Sequence, residues 1–419
     1  MRCLPGLHRS LTLLALAIAP LAALAQTGPA PDDTTAAERA RDAERRFAFA
    51  EGYGGASALS SAESADVPGF DAPGRTSAAQ LAFGGLHFWG HADFYVRFTT
   101  LSRSTTVGDQ TLINIPTVET GARAYPWATQ PGTVRPFVGT SWTVETVRLG
   151  DGPFATLHRF PLEAGLTARL GPVAVDGSVR YAAGREVDVP LSRTEPGTVS
   201  IPSWSALVGA RVFFESTALN EAGVASGAEA RRERRLREAG RLSGVLLSIG
   251  PSSAIPLRNS PRNDESFFLS ALSPAVFPEF GAGYYHDGLD AFVNLAYRRI
   301  TTGQDAFGAS QRLSRNAATL EAAKILGDYE GFVPFLGAGA SVERLTARET
   351  DGGEETFVET QTTVVPSVLF GWDIRPTRTQ PWLLRTNLRY APGLSLADGG
   401  FRFDQLEFNF IQFVWHVGR

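Results

Sequence analysis

Ten charged side chains fall at alternate positions of stretches that are otherwise small or apolar. They are Glu145, Glu163, Arg169, Asp176, Arg180 and Arg211 in the first half of the 419-residue chain, and Glu343, Asp373, Arg385 and Arg389 in the second. A period of two puts such residues on one face of extended strands. Charges of both signs on one enclosed face must pair to be tolerated, which describes a salt-bridged plug that fixes strand register. Around an open path the same groups would form a gate or a selectivity lining for small ions and solutes. Nucleophilic or acid–base chemistry would draw on His87, His91, His158, His286 or His416. His91 and His286 fall in turns, His158 and His416 near strand ends, and no pattern with Ser and Asp sets a triad on one face. The usual His/Asp spacing of a metal site is missing too. No catalytic residue, metal site or cofactor is therefore expected.

The elements that must position these charges are strands. From about Phe47 the chain reads as stretches of some ten residues of alternating character separated by turn residues, the length and pattern of a tilted membrane strand. In 136–145, Val138, Thr140, Trp142 and Val144 lie on one face and Gly139, Ser141, Thr143 and Glu145 on the other. The same ten positions recur without a gap at 334–343. Residues 175–184 match 384–393, and Phe83-Gly84 running to Phe94 matches Phe280-Gly281 running to Phe292 with one residue inserted. Even the Ala/Arg/Glu-rich lead-in of 37–46 recurs at 228–241. This is duplication of a complete unit.

Strands are expected near 46–54, 79–89, 93–101, 112–126, 135–147, 157–170, 172–183 and 203–214. The second set falls near 244–250, 275–285, 289–300, 316–327, 332–345, 357–374, 381–391 and 403–416. Connections after the second, fourth and sixth strand of each unit are short and the others mostly longer, as in outer-membrane barrels. This puts both ends of each unit on the periplasmic side. Trp89, Tyr125, Trp127, Tyr284, Tyr285, Tyr329, Trp372 and Trp382 all sit beside the short turns, where an aromatic girdle belongs.

The N-terminus carries Arg2 and Arg9, an apolar stretch from Leu11 to Ala25 broken by Pro20, and the small-x-small site Ala23-Leu24-Ala25. Such a segment is a secretory signal peptide, too short to span a membrane as a helix. Cys3, the only cysteine, lies within it. Its removal takes the formal net charge from -4 to -6, spread along the chain, and nothing suggests nucleic-acid binding. No later stretch is apolar enough for a transmembrane helix, and an exported membrane chain without one must be a closed barrel. The expected organisation is a signal peptide at 1–25, a charged periplasmic segment at 26–45, barrel units at 46–216 and 244–419, and an Arg-rich linker at 217–243 that forms a short solvated helix.

On these residues the chain resembles the small outer-membrane barrel superfamily of OmpA, OmpX and OmpW type, here as two tandem eight-strand copies. That resemblance implies an all-β transmembrane antiparallel fold, location in the bacterial outer membrane, and lipids, lipopolysaccharide and the barrel-assembly machinery as partners. It also implies a terminal-strand assembly signal, matched by Gly209, Val212 and Phe214 at the end of the first unit. The chain's own end, near Trp415, departs from that pattern by lacking the Gly. Sixteen strands could also close as one porin-like channel with an aqueous lumen, whereas eight leave an interior filled by side chains. Two barrels are favoured by the internal terminal signal, by the long linker and by the small residues Gly139, Gly165 and Gly177, with counterparts Gly337, Gly339 and Gly371. Strict alternation, however, puts Gly177 on the face opposite Asp176 and Arg180. The expected role is non-enzymatic: envelope structure, surface interaction or limited permeation. A porin-like channel is the first alternative and a lipid-modifying enzyme the second.

Overall fold

The computed structural model describes residues 51–61, 76–107, 110–127, 132–214, 228–257, 268–269, 275–326, 331–375, 378–396 and 402–418. The expected signal peptide, the segment 26–45 and Tyr329 lie outside these residues. Of Trp89 and Phe214 only the backbone is described.

The first half contains β1 (Glu51–Ser61), β2 (Ser77–His87), β3 (Ala92–Arg103), β4 (Thr105–Val107), β5 (Gln110–Ala124) and β6 (Val134–Leu149). It continues with β7 (Ala155–Arg159), β8 (Leu162–Leu170), β9 (Val173–Tyr181), β10 (Arg185–Asp188), β11 (Thr198–Ile201) and β12 (Trp204–Phe214). Eight of these close in the order β5-β3-β2-β1-β12-β9-β8-β6, with β6 returning to β5. The short β4 and β7 pair with β5 and β6, and β10 and β11 form a separate hairpin. The strand expected at 157–170 is two pieces, because Pro161 has no N–H for the ladder and lies between β7 and β8. The first strand, expected at 46–54, runs to Ser61, with Gly52 opposite Phe214.

Helix α1 (Ala228–Glu238) follows, in the Arg-rich segment. The second half is β13 (Gly244–Pro256), β14 (Ala275–His286), β15 (Ala291–Ala306), β16 (Ala309–Ile325), β17 (Gly331–Asp351), β18 (Glu354–Arg375), β19 (Trp382–Ser395) and β20 (Arg402–His416). They form a closed barrel in sequence order, sealed by β13 against β20 with Leu246 opposite His416. Each half closes on its own first and last strand. The single sixteen-strand channel is therefore excluded, and the chain is all-β with two closed eight-strand barrels.

Alternation decides what each face meets. On β18, Val364, Pro366, Val368, Phe370, Trp372 and Ile374 point out while Val365, Ser367, Leu369, Gly371 and Asp373 point in. Val364 is 68% exposed and Leu369 2%. That outward apolar run spans eleven residues, the crossing length of a tilted membrane strand. The first barrel does the same with Val138, Leu162, Leu166, Leu170, Val175, Val179 and Val208, all exposed. Single exposed apolar residues need no explanation, but a continuous band on both barrels marks a lipid-facing surface.

The hairpins β15–β16 and β17–β18 run past this band. Pairing of β14 with β15 stops at Glu279 opposite Arg298, and pairing of β18 with β19 stops at Val368 opposite Tyr390. The far ends of β15 to β18 continue as a four-strand extension.

Candidate functional site

The first barrel's interior is a chain of alternating charge. Arg180 lies 2.9 Å from Glu119, which is 2.8 Å from Arg97. Arg97 is 4.0 Å from Glu163, which accepts from Arg123 at 2.7 Å. Arg123 reaches Asp176 at 3.3 Å, Asp176 lies 2.9 Å from Arg211, and Arg211 donates to Asp93 at 2.7 Å. Four guanidiniums and four carboxylates thus neutralise one another, all of them buried. Tyrosine hydroxyls fill in as donors: Tyr53 to Asp93 at 2.7 Å, Tyr125 to Asp93 at 3.3 Å, and Tyr95 to Glu119 at 3.0 Å. Arg97 lies over the Tyr95 ring at 4.1 Å and Arg123 over Phe137 at 4.3 Å, so the cations also use ring faces. Toward the short turns Arg169 pairs with Glu51 at 2.5 Å.

At the opposite end Arg159 holds Glu145 at 3.3 Å and donates to the carbonyls of Ala182 and Pro202. These side chains, with Asn114, Arg180 and Trp204, line a cavity of about 50 Å³. That is room for a few waters. The buried Asn114 Oδ1 atom has no partner among the described residues.

The second barrel arranges its charges around one hub. The Glu407 carboxylate lies 2.6 Å from Arg389, 2.7 Å from Arg315 and 3.3 Å from Arg298. Each arginine then holds a further acid: Arg389 holds Glu321 at 2.5 Å and Glu279 at 3.1 Å, Arg298 lies 3.7 Å from Glu279, and Arg315 forks onto Glu343. Nearer the short turns Arg385 and Asp373 form a two-bond fork at 2.7 and 2.8 Å, with the guanidinium 4.0 Å over Phe292. Gln412 stands opposite Arg385 at the fork, and Asn387 opposite Asn409 lies between fork and hub; several of their buried amide atoms lack partners among the described residues.

All ten charges singled out from the sequence lie in these two interiors. Their partners Glu51, Asp93, Arg97, Glu119, Arg123, Arg159, Glu279, Arg315, Glu321 and Glu407, and Arg298 beside Glu407, were missed. The signal was present, since Asp93, Tyr95 and Arg97 are spaced by two, as are Glu119, Gly121 and Arg123.

Small residues make space for this packing. A Cβ at Gly165 would stand 2.7 Å from the ring tip of Phe137, and one at Gly371 would stand 2.6 Å from that of Phe335. The two halves share this glycine–phenylalanine contact. Gly177, by contrast, faces outward with nothing near it.

The girdle needs correction. Tyr125 and Tyr285 point inward and are buried, Tyr285 donating to Asp290 at 3.1 Å. Trp127 and Tyr284 are exposed on the outside. Trp382 stacks 6.3 Å from Phe413, which neighbours Trp415, and Trp372 packs on Phe370. On β12, Gly209 faces inward beside Asp176, and Val212 lies on the face opposite Arg211 and Phe213. Trp415 stands on the outer face of β20 and is 45% exposed.

The histidines are spread among structural contacts. His91 meets the carbonyl of Tyr125 at 3.1 Å, His158 stacks on Trp142, His286 accepts from the Leu289 N–H, and His416 packs edge-on against Tyr285. His87 packs against Phe94. Among the described residues no group of three His, Cys, Asp or Glu side chains is placed to hold a metal ion.

Fold and interior together define the class: tandem eight-strand antiparallel barrels with lipid-type exteriors and ion-paired cores. No family model and no curated protein matches the sequence. Among solved structures the chain is similar to Neisserial surface protein A at 18% identity, over 42% of this chain and 97% of that one, with a TM-score of 0.29. It is similar to Ail, the attachment invasion locus protein of Yersinia pestis, at 10% identity over 42% and 96%, with a TM-score of 0.28. An outer membrane channel from Pseudomonas putida aligns at 11% identity over 87% and 94%, with a TM-score of 0.24.

Proposed function

We propose that the protein is exported by its N-terminal signal peptide to the bacterial outer membrane, where it acts as a non-enzymatic pair of closed barrels. Its loops and hairpins then serve surface interaction and envelope structure. The observation that carries this reading is the set of ion pairs crossing each interior, from Arg180 to Asp93 in one barrel and around Glu407 in the other. Buried guanidiniums and carboxylates in such contact occupy the lumen, and moving one aside would strand its partner in a low-dielectric interior. Eight strands give an interior that side chains fill.

Planar-bilayer recording of the refolded protein tests the proposal. The expected trace is silent, for the whole chain and for a chain cut at Gly227. Stable openings from the uncut protein would replace a plug with a channel.

A further inference from the structure

The outer surface of the second barrel changes chemistry along a single rung. On β15, Val293, Leu295 and Tyr297 give way to Arg299; on β16, Leu320 and Ala318 give way to Asn316. On β17, Leu336, Ala338, Ala340 and Val342 give way to Arg344, and on β18 the apolar band ends at Thr362. Arg299, Asn316, Arg344 and Thr362 are direct cross-strand partners in that order. Neighbouring strands are about 4.8 Å apart, so Arg299 and Arg344 flank Asn316 at about 10 Å between backbones. Both arginines are exposed, and their long side chains can converge over the amide.

Two rungs further from the apolar band, Arg312 and Arg348 stand opposite each other, yet each has its own carboxylate, Asp305 at 2.7 Å and Glu355 at 3.1 Å. Arg299 and Arg344 have no ion pair among the described residues. Their outward neighbours Tyr297, Thr301, Ser314, Val342, Thr346 and Thr360 include no acid. The arginines that stand higher in solvent are neutralised by the protein. The two at the edge of the apolar band are not.

We propose that Arg299 and Arg344, with Asn316 between them, bind the phosphate of an anionic lipid headgroup. The rung lies at the end of the barrel where β15 to β18 extend past the apolar band, the end that outer-membrane barrels carry outside the cell, which makes it the outer leaflet. Arginine forks match phosphate oxygens, and partial exclusion of water at the interface strengthens the contact. This inference rests on the membrane reading of the apolar band.

The test uses full-length protein in neutral detergent, titrated with diphosphorylated lipid A and followed by native mass spectrometry. The variant R299Q/R344Q is expected to bind about tenfold more weakly, while R312Q/R348Q stays within about twofold of the parent. Inorganic phosphate at equal concentration is expected not to compete. Unchanged affinity in R299Q/R344Q, an equal loss in R312Q/R348Q, or displacement by inorganic phosphate would each overturn the assignment. Heat-resistant mobility after insertion into phosphatidylcholine vesicles is measured in parallel. Failure to insert would sink the membrane reading, whereas insertion without arginine dependence would sink this inference alone.

Discussion

The two barrels share a backbone plan but wire their interiors differently. In the first, charges form a line in which each inner member touches two neighbours of opposite sign, from Arg180 through Glu163 to Asp93. In the second, three arginines converge on Glu407. The repeat shows how the wiring diverged. Arg180 and Arg389 occupy the same repeat position, yet Arg180 lies opposite Glu163 and Arg389 opposite Leu369. Two rungs nearer the turns, Thr167 faces Asp176 in the first barrel while Asp373 faces Arg385 in the second. The sign at the Asp176/Arg385 position has inverted. What duplication preserved is an opposite charge within reach of each buried charge, not the identity of any pair.

A line and a hub should fail differently. Glu407→Gln takes a direct carboxylate contact from three guanidiniums at once, leaving each with only its outer acid, Glu279, Glu321 or Glu343, and we expect the second barrel to lose about 3–5 kcal/mol in urea unfolding from lipid vesicles. A loss under about 1 kcal/mol would show that the hub is not the centre of that interior. Glu163→Gln loosens two guanidiniums, not three, with Arg123 keeping Asp176 and Arg97 keeping Glu119; about 2–3 kcal/mol is expected from the first barrel. If the two losses are equal, the distinction between line and hub has no energetic content.

The shared frame should respond equally in both halves. Gly165→Ala and Gly371→Ala each drive a methyl against a phenylalanine tip, and overpacking of this kind costs about 1–3 kcal/mol. Matched shifts in the two unfolding transitions are the expected result; a large asymmetry would mean that one Phe can move aside. Smallest of all is the effect of replacing 348–358 with Asn-Gly at the tip of β17–β18. This removes a hairpin end beyond the apolar band, so the barrel should keep its heat-resistant mobility and change by less than about 0.5 kcal/mol.

Much of this fold was legible, because a period of two over some ten residues is a strong signal and the repeat doubles it. The strand order follows from alternation, but β1, β13, β15, β16 and β17 run several residues past the expected bounds, Pro161 splits one strand, and the β10–β11 hairpin lies where a loop was expected. Pairing partners were harder. The match of Phe94 to Phe292 is off by one: His87 and His286 each open a four-residue turn onto Ala92 and Ala291, so Asp93 is the counterpart of Phe292. Phe94 accordingly faces out while Phe292 is buried inside. A slip of one residue exchanges the two faces of a strand. Tyr125 and Tyr285 misled for a related reason. Proximity to a turn says nothing about direction, and an aromatic near a turn can cap an interior as readily as it can face lipid. Which carboxylate meets which guanidinium depends on strands remote in sequence, such as Arg389 and Glu279, and no local pattern encodes it.

Closure of β1 on β12 and of β13 on β20 also sets a folding schedule. Each barrel is completed by a contact between the two ends of its own half, Gly52 with Phe214 and Leu246 with His416. Such distant closures are slow steps. Because they are separate, the first half can seal while the second is still being delivered, and a stalled second half would leave a finished neighbour instead of an open sixteen-strand sheet with two exposed edges.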